Sequence, residues 1–261
     1  MEKEQIITVM KRYELKYYLN SDQLAYFMEK ILEHMKVDKY GLTSIASLYY
    51  DTPNYSLINR SIEKPAYKEK IRLRSYGLAN ENSKLYLEIK RKLDGIVYKR
   101  RIPITNKEMD EFINYDGELD NNQISREIMA FKENYQVLEP KYLIIYDRMA
   151  FYHDDSDLRI TIDMNPRYRV TDLNLVTSLD GIPLLKDGGA ILEVKVQHSV
   201  PLWLSEILSI GKIYQTSFSK VGTAHKIETN KRFQKQIQNR INVNNSIQLD
   251  KKGGYEYGLT I

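Results

Sequence analysis

Three strand-like segments of this chain carry the tripeptide Glu-x-Lys: Glu14-Leu15-Lys16, Glu88-Ile89-Lys90 and Glu193-Val194-Lys195. Residues at i and i+2 of a strand project from one face, so each carboxylate shares its face with an ammonium. Carboxylate oxygens can hold a hard divalent cation, while Lys and Arg hold phosphate oxygens that the cation does not reach. The plain alternative is a same-face ion pair, which is worth little. One occurrence means almost nothing. Three occurrences on one-sided basic strands point to a metal–phosphate site.

The flanking residues extend this pattern. Alternation over Lys68–Tyr76 puts Lys68, Lys70, Arg72 and Arg74 on one face, against Glu69, Ile71, Leu73 and Ser75. Tyr86, Glu88, Lys90 and Lys92 oppose Leu85, Leu87 and Ile89. Arg159, Thr161 and Asp163 oppose Leu158, Ile160 and Ile162, and Glu193, Lys195 and Gln197 oppose Leu192, Val194 and Val196. A solvated sheet face usually mixes Ser, Thr, Gln and both charge signs, and facing rows of like charge are destabilising. Two readings stay open from the pattern: a solvated polar face, or a basic tunnel in which the charged face lies inside a barrel, the apolar face points outward under amphipathic helices, and an anion neutralises the interior.

The elements that must position these residues are mostly strands in hairpin succession. Candidate strands are Ile6–Leu19, Ile45–Asp51, Lys68–Tyr76, Lys84–Lys92, Ile96–Ile104, Tyr142–Tyr152, Leu158–Asp163, Arg167–Thr171 and Ile191–Gln197. Helical spacing marks Ser21–Met35, with Ser21 as N-cap, then Asn106–Tyr115, Ile124–Tyr135 and Pro201–Ile213. A longer helix from Lys220 to Ile241 is capped by Ser219. About eight strands with some five helices indicate an antiparallel α+β fold whose sheet closes, or nearly closes, into a barrel. No Gly-, Ser- or Pro-rich linker divides the chain, so residues 1–241 read as one domain and 242–261 as a tail expected to be mobile.

Composition narrows the chemistry. The 261 residues contain no Cys and only four His, which excludes thiolate nucleophiles and argues against a multi-His metal centre. Net charge is +4, yet Lys64–Arg101 holds twelve basic and four acidic residues, while Ile102–Glu139 holds three basic and nine acidic. The basic charge is concentrated on particular strands, and its partner is anionic. No apolar run reaches the ~18 residues of a membrane span, so the expectation is a cytoplasmic protein without its own membrane segment.

Taken in order along the chain, these residues resemble the VTC domain, the polyphosphate polymerase domain of the triphosphate tunnel metalloenzyme superfamily, related to the CYTH hydrolases. The matching motifs are Arg12-Tyr13-Glu14-Leu15-Lys16-Tyr17, Ser47-Leu48-Tyr49-Tyr50-Asp51-Thr52, Lys70-Ile71-Arg72-Leu73-Arg74 and Leu87-Glu88-Ile89-Lys90-Arg91-Lys92. They continue with Tyr98-Lys99-Arg100-Arg101, Arg159-Ile160-Thr161-Ile162-Asp163, Leu192-Glu193-Val194-Lys195 and Ser219-Lys220. The resemblance implies an eight-stranded antiparallel tunnel barrel with flanking helices that binds ATP and triphosphate chains with Mn²⁺ or Mg²⁺. It also implies extension of inorganic polyphosphate by the ATP γ-phosphate, with release of ADP. Lys16, Arg72, Arg74, Lys90, Lys99, Arg148, Arg159 and Lys220 would line the tunnel and grip phosphates. Arg72, Arg74, Lys90 and Lys195 would be the contacts to the bound phosphate chain, and Glu193 the principal metal ligand, with Glu14 and Glu88 as lesser ones. Moving the product across a bilayer would need a separate membrane-protein partner.

One residue departs from the hydrolase pattern. CYTH hydrolases carry Glu-x-Glu-x-Lys on the first strand, and here Arg12 stands at the first Glu position. A cation in place of a carboxylate weakens activation of metal-bound water and strengthens polyanion binding, which favours the polymerase branch. Two alternatives stay open: a triphosphatase acting on inorganic or organic triphosphate, and a non-enzymatic polyanion binder. Specific nucleic-acid binding is disfavoured, because no RNA-recognition signature is present. The 21 tyrosines are expected mainly to pack on strands.

Overall fold

The computed structural model describes residues 13–94, 96–114, 119, 122–185 and 188–252. Arg12, Gly95 and the part of the first strand before Tyr13 lie outside them. The described strands are β1 (Tyr13–Leu19), β2 (Lys36–Asp51), β3 (Tyr67–Tyr76), β4 (Leu85–Leu93), β5 (Ile96–Ile104), β6 (Glu139–Tyr152), β7 (Arg159–Arg169), β8 (Ile182–Pro183) and β9 (Ala190–Val196). The helices are α1 (Ser21–Ile31), α2 (Ser56–Ile62), α3 (Asn106–Asn114), α4 (Gln123–Tyr135), α5 (Leu202–Ile210) and α6 (Lys220–Lys252). All strand pairs are antiparallel, in the order β1-β9-β7-β6-β2-β3-β4-β5, with β8 added beside β7. The α+β fold with a tunnel-forming sheet is as the sequence indicates. Among the described residues, however, edge strands β1 and β5 do not pair with each other. A side-chain contact bridges from β4 to β1 instead, where Lys90 Nζ lies 3.3 Å from Glu14 Oε2.

Alternation builds the layers. Ile71, Leu73, Leu85, Leu87 and Ile89 point outward and are buried under Met109 and Phe112 of α3 and Ile128 and Phe131 of α4. Ile160, Ile162, Leu192 and Val194 point outward on the other side, beneath Phe27 and Ile31 of α1 and Leu204 and Leu208 of α5. Burying each such side chain contributes roughly 1.5–3 kcal/mol, so the apolar stripes hold the helices outside and leave the polar face within.

A third apolar cluster joins Tyr142, Ile144 and Tyr146 of β6 to Ile58 of α2 and to Val221 and Ala224 of α6. The helix α2 is short and was not apparent from periodicity. The buried carboxylate of Asp51 fixes its start by accepting the backbone N–H groups of Leu57 and Ile58, at 2.9 and 2.8 Å. These are two of the donors a helix N-terminus leaves unpaired. His225 of α6 then lies between Tyr142 Oη and Asn59 Oδ1, 3.0 Å from each. Asp51 thus anchors α2, α2 seats α6, and α6 delivers its first residue, Lys220, into the tunnel.

Other boundaries differ from the periodic reading for local reasons. The cap of α1 is Asn20 rather than Ser21, because the Asn20 and Gln23 side chains each bind the other's backbone N–H, a capping box. Strand β2 begins nine residues before Ile45, and β7 runs continuously from Arg159 through Arg167. Helix α6 continues past Ile241 to Lys252. Ser219 caps it as expected, its Oγ accepting the Gly222 N–H at 3.2 Å.

Candidate active site

Among the described residues four carboxylates face the tunnel interior, and each is ringed by cations. Glu193 of β9 lies 3.2 Å from Lys16, 3.6 Å from both Arg148 and Lys195, and 3.9 Å from Lys220. Asp163 of β7, fully buried, accepts a two-bond fork from Arg148 at 2.6 and 2.8 Å and also pairs with Lys220. Glu14 of β1 lies 3.3 Å from Lys16 and 3.3 Å from Lys90. Glu88 of β4 is held by Arg72 at 2.7 Å, Lys99 at 2.6 Å and Arg74 at 3.8 Å. Eight cations therefore surround four carboxylates: Lys16, Lys90, Lys99, Lys195, Lys220, Arg72, Arg74 and Arg148.

Register explains the convergence. Lys16 faces Glu193 and Glu14 faces Lys195 across β1 and β9, and Arg148 faces Asp163 across β6 and β7. Arg72 faces Glu88 across β3 and β4, with Lys70 facing Lys90 next to it. Lys220 arrives from outside the sheet at the N-terminus of α6.

The charges shift one another's protonation. Burial works to raise the pKa of Glu14 and Glu88. Lys90 and Lys16 outweigh it at Glu14, and Arg72, Arg74 and Lys99 at Glu88, so that both fall to about 2. Glu193 and Asp163 are likewise held below the usual carboxylate range, against burial, by Lys16 and Lys220 respectively and by Arg148. Lys70 has no carboxylate at ion-pair distance among the described residues; burial, then Lys90 and Lys16, lower it to about 8. Burial would raise the Tyr49 phenol, but Arg72, Lys70 and Arg74 bring it down to about 8.

Of the residues singled out by sequence, Glu14, Lys16, Arg72, Arg74, Glu88, Lys90, Lys99, Arg148, Glu193, Lys195 and Lys220 come together in this network. Arg159 does not join it. It is the first residue of β7, exposed at the rim, where its guanidinium donates to Leu158 O at 3.2 Å and lies over the Tyr152 ring. Sequence reasoning placed Asp163 and Lys70 on the polar face but gave them no role. It also assigned the tyrosines to packing, whereas Tyr49 Oη and Tyr146 Oη accept from Arg72 and Arg74 at 2.8 and 3.1 Å. The ammonium of Lys220 sits 4.5 Å from the centre of the Tyr146 ring, a cation–π contact.

A divalent cation fits this donor set in one way. No three carboxylate or histidine side chains form a protein-only cage among the described residues. Small hard cations commonly take one or two carboxylates and complete their shell with water and phosphate oxygens. Glu193 would supply such a carboxylate, with Glu14 near enough to act on its charge. Beside it in register stands Thr161, whose Oγ1 is buried with no hydrogen-bond partner among the described residues.

The chain belongs to the VTC domain family, whose model matches residues 11–228. No curated protein sequence matches it. Among solved structures it is similar to a protein from Bacillus halodurans described as a candidate adenylate cyclase, with TM-score 0.50 and 11% identity over 80% of this chain and 96% of that one. It is also similar to a Hippeastrum protein described as a candidate adenylyl cyclase with dominant triphosphatase activity. There the TM-score is 0.50 and the identity 13%, over 82% of this chain and 95% of that one. At these identities the two likenesses establish the shared tunnel fold. Membership of the VTC family makes this an enzyme of the triphosphate tunnel superfamily, which implies dependence on a divalent metal and chemistry on triphosphate, by phosphoryl transfer or hydrolysis.

Proposed function

We propose that the protein transfers the γ-phosphate of ATP to the end of an inorganic polyphosphate chain inside the tunnel, releasing ADP. The carrying observation is that, among the described residues, every tunnel carboxylate is engaged by at least two cations, which leaves none of them free to take a proton. A water nucleophile needs a general base whose pKa lies near the working pH. The terminal oxygen of a polyphosphate chain is already anionic and needs none. That asymmetry favours transfer to a chain over transfer to water.

In this reading Arg72 and Arg74 grip the phosphates with planar forks, and Lys16, Lys90, Lys99, Lys195 and Lys220 add mobile point charges. Arg148 is positioned by Asp163. The chain-end oxygen forms a bond to the γ-phosphorus, the bond from that phosphorus to the bridging oxygen breaks, and ADP leaves with the electron pair. Phosphoryl transfer depends mainly on positioning and charge stabilisation, which this wall supplies without a covalent nucleophile. A divalent ion at Glu193, Mn²⁺ or Mg²⁺, would add neutralisation of the phosphate oxygens.

The second reading is hydrolysis of a triphosphate, as described for the Hippeastrum protein. Incubation with ATP and Mn²⁺, followed by gel electrophoresis stained for polyphosphate, separates the two. A polymer ladder that vanishes in Glu193→Gln supports the polymerase. Free phosphate without a ladder establishes the hydrolase instead.

A further inference from the structure

The inner wall of β3 and β4 changes character along its length. At one end Arg72 and Arg74 are paired with Glu88. Towards the other end the residues become Lys70 and Lys68 on β3 and Lys90 and Lys92 on β4, and they stand directly opposite one another: Lys70 faces Lys90, and Lys68 faces Lys92. Like charges in register destabilise a sheet. Lys90 is relieved by Glu14, but among the described residues no carboxylate lies at ion-pair distance from Lys68, Lys70 or Lys92. Among the described residues the Lys70 ammonium donates only to Ser219 Oγ at 3.1 Å, and that of Lys68 only to the Ser61 carbonyl at 3.4 Å.

Full exposure does not account for this row. Lys68 and Lys70 are half-buried and only Lys92 is open to solvent, so exposure increases from the arginine end outward. Lys68 alternates onto the same face of β3 as Lys70, Arg72 and Arg74, opposite Lys92, which turns its charge towards the tunnel. From Arg74 to Lys68 the strand runs about 20 Å at a rise near 3.4 Å per residue, further than three linked phosphates extend.

We infer that Lys68, Lys70 and Lys92 form a separate subsite for phosphate groups beyond the three held near the arginines, so that this end of the tunnel selects for chain length. The side-chain chemistry agrees with that division. Arginine forks fix a phosphate in one geometry, whereas lysines are point charges on flexible stems, suited to a chain that must slide as it grows. The inference rests on the polyphosphate reading of the tunnel, and its test separates the two.

The test uses the intact chain with two probes, tripolyphosphate and long-chain polyphosphate, titrated by calorimetry at several salt concentrations. In Lys68→Met/Lys92→Met, long-chain affinity should drop about tenfold or more, and its log–log salt slope should become shallower by about one unit per lysine. Tripolyphosphate affinity should hold within about twofold, because the arginine end is untouched. Without ligand the variant should melt no lower than wild type, since it loses a like-charge pair, and Lys68→Arg/Lys92→Arg should keep long-chain binding. Equal losses for both probes, or an unchanged long-chain affinity, would overturn the inference. Wild type that binds the long chain no better than tripolyphosphate would overturn it too, while leaving the tunnel reading intact. A selective long-chain loss in a protein that makes no polymer would uphold the subsite and sink only the polymerase.

Discussion

Arg148 and Asp163 are register partners on β6 and β7, and the guanidinium grips the carboxylate through two hydrogen bonds of 2.6 and 2.8 Å. Lys220 binds the same carboxylate from the start of α6. One buried anion thus ties two strands and a helix to the same point of the tunnel wall. Replacing Asp163 by Asn should destabilise the ligand-free protein by about 3–5 kcal/mol, because two buried cations lose their counter-charge. Saturating triphosphate should recover much of the loss by supplying a substitute anion. Melting curves with and without triphosphate check this: an equal drop in both would mean that Asp163 only supports the fold.

Glu193 is expected to behave differently. It has four cations around it, and neighbouring Asp163 still neutralises Arg148 and Lys220. Glu193→Gln should therefore keep the fold while Mn²⁺-stimulated turnover drops on the order of a hundredfold, the scale for removing one preorganised electrostatic contact. Metal titrations of initial rate provide the check. Unaltered metal activation in the variant would place the ion elsewhere.

The alternation of Lys68–Tyr76 and of Glu193-Val194-Lys195 made the basic inner face and the apolar outer face legible in the sequence, since a period of two assigns both at once. Pairing was not legible. That Asp163 would meet Arg148, and Glu14 meet Lys90, depends on strand order and register, which alternation does not encode. Helix α2 was hidden because its start is set by the Asp51 side chain rather than by an apolar stripe. Arg159 satisfied the pattern but fell on the opening residue of its strand, where its side chain turns to the rim. Tyr17, Tyr50, Tyr142 and Tyr168 pack in the core as expected, while Tyr49 and Tyr146 in addition offer a phenol oxygen to Arg72 and Arg74, which alternation does not encode.

Arg72 and Arg74 share Glu88, so a double replacement by Ala leaves that buried carboxylate with Lys99 alone. Triphosphate affinity should fall by roughly 3 kcal/mol or more, since hydrogen bonds to charged groups contribute about 1.5–3 kcal/mol each. The salt dependence of binding should become shallower as well, because fewer phosphate charges are neutralised. Calorimetry at two salt concentrations measures both. Unchanged affinity would move the phosphate site away from β3.

Lys70 should give stability and ligand binding opposite dependences on pH. Its folded pKa of about 8 lies below the ordinary lysine value of 10.5, through burial and then Lys90, Lys16 and Lys68, against the opposing effect of Tyr49. For a lysine lowered on folding, the cost of burying the ammonium is fully present below pH 8 and is relieved as pH rises from about 8 to 10.5. Ligand-free stability should therefore gain from this residue across that window. Binding runs the other way. A phosphate oxygen near Lys70 favours the ammonium and raises its pKa, so complex formation takes up a proton and affinity declines as pH climbs above 8. Calorimetry at pH 8.5 in two buffers of different ionisation enthalpy should show proton uptake on binding long-chain polyphosphate. Lys70→Arg keeps a charge that does not titrate in this range and should flatten the affinity profile while preserving affinity at pH 7. An unaltered profile in that variant would show that another group carries the pH dependence.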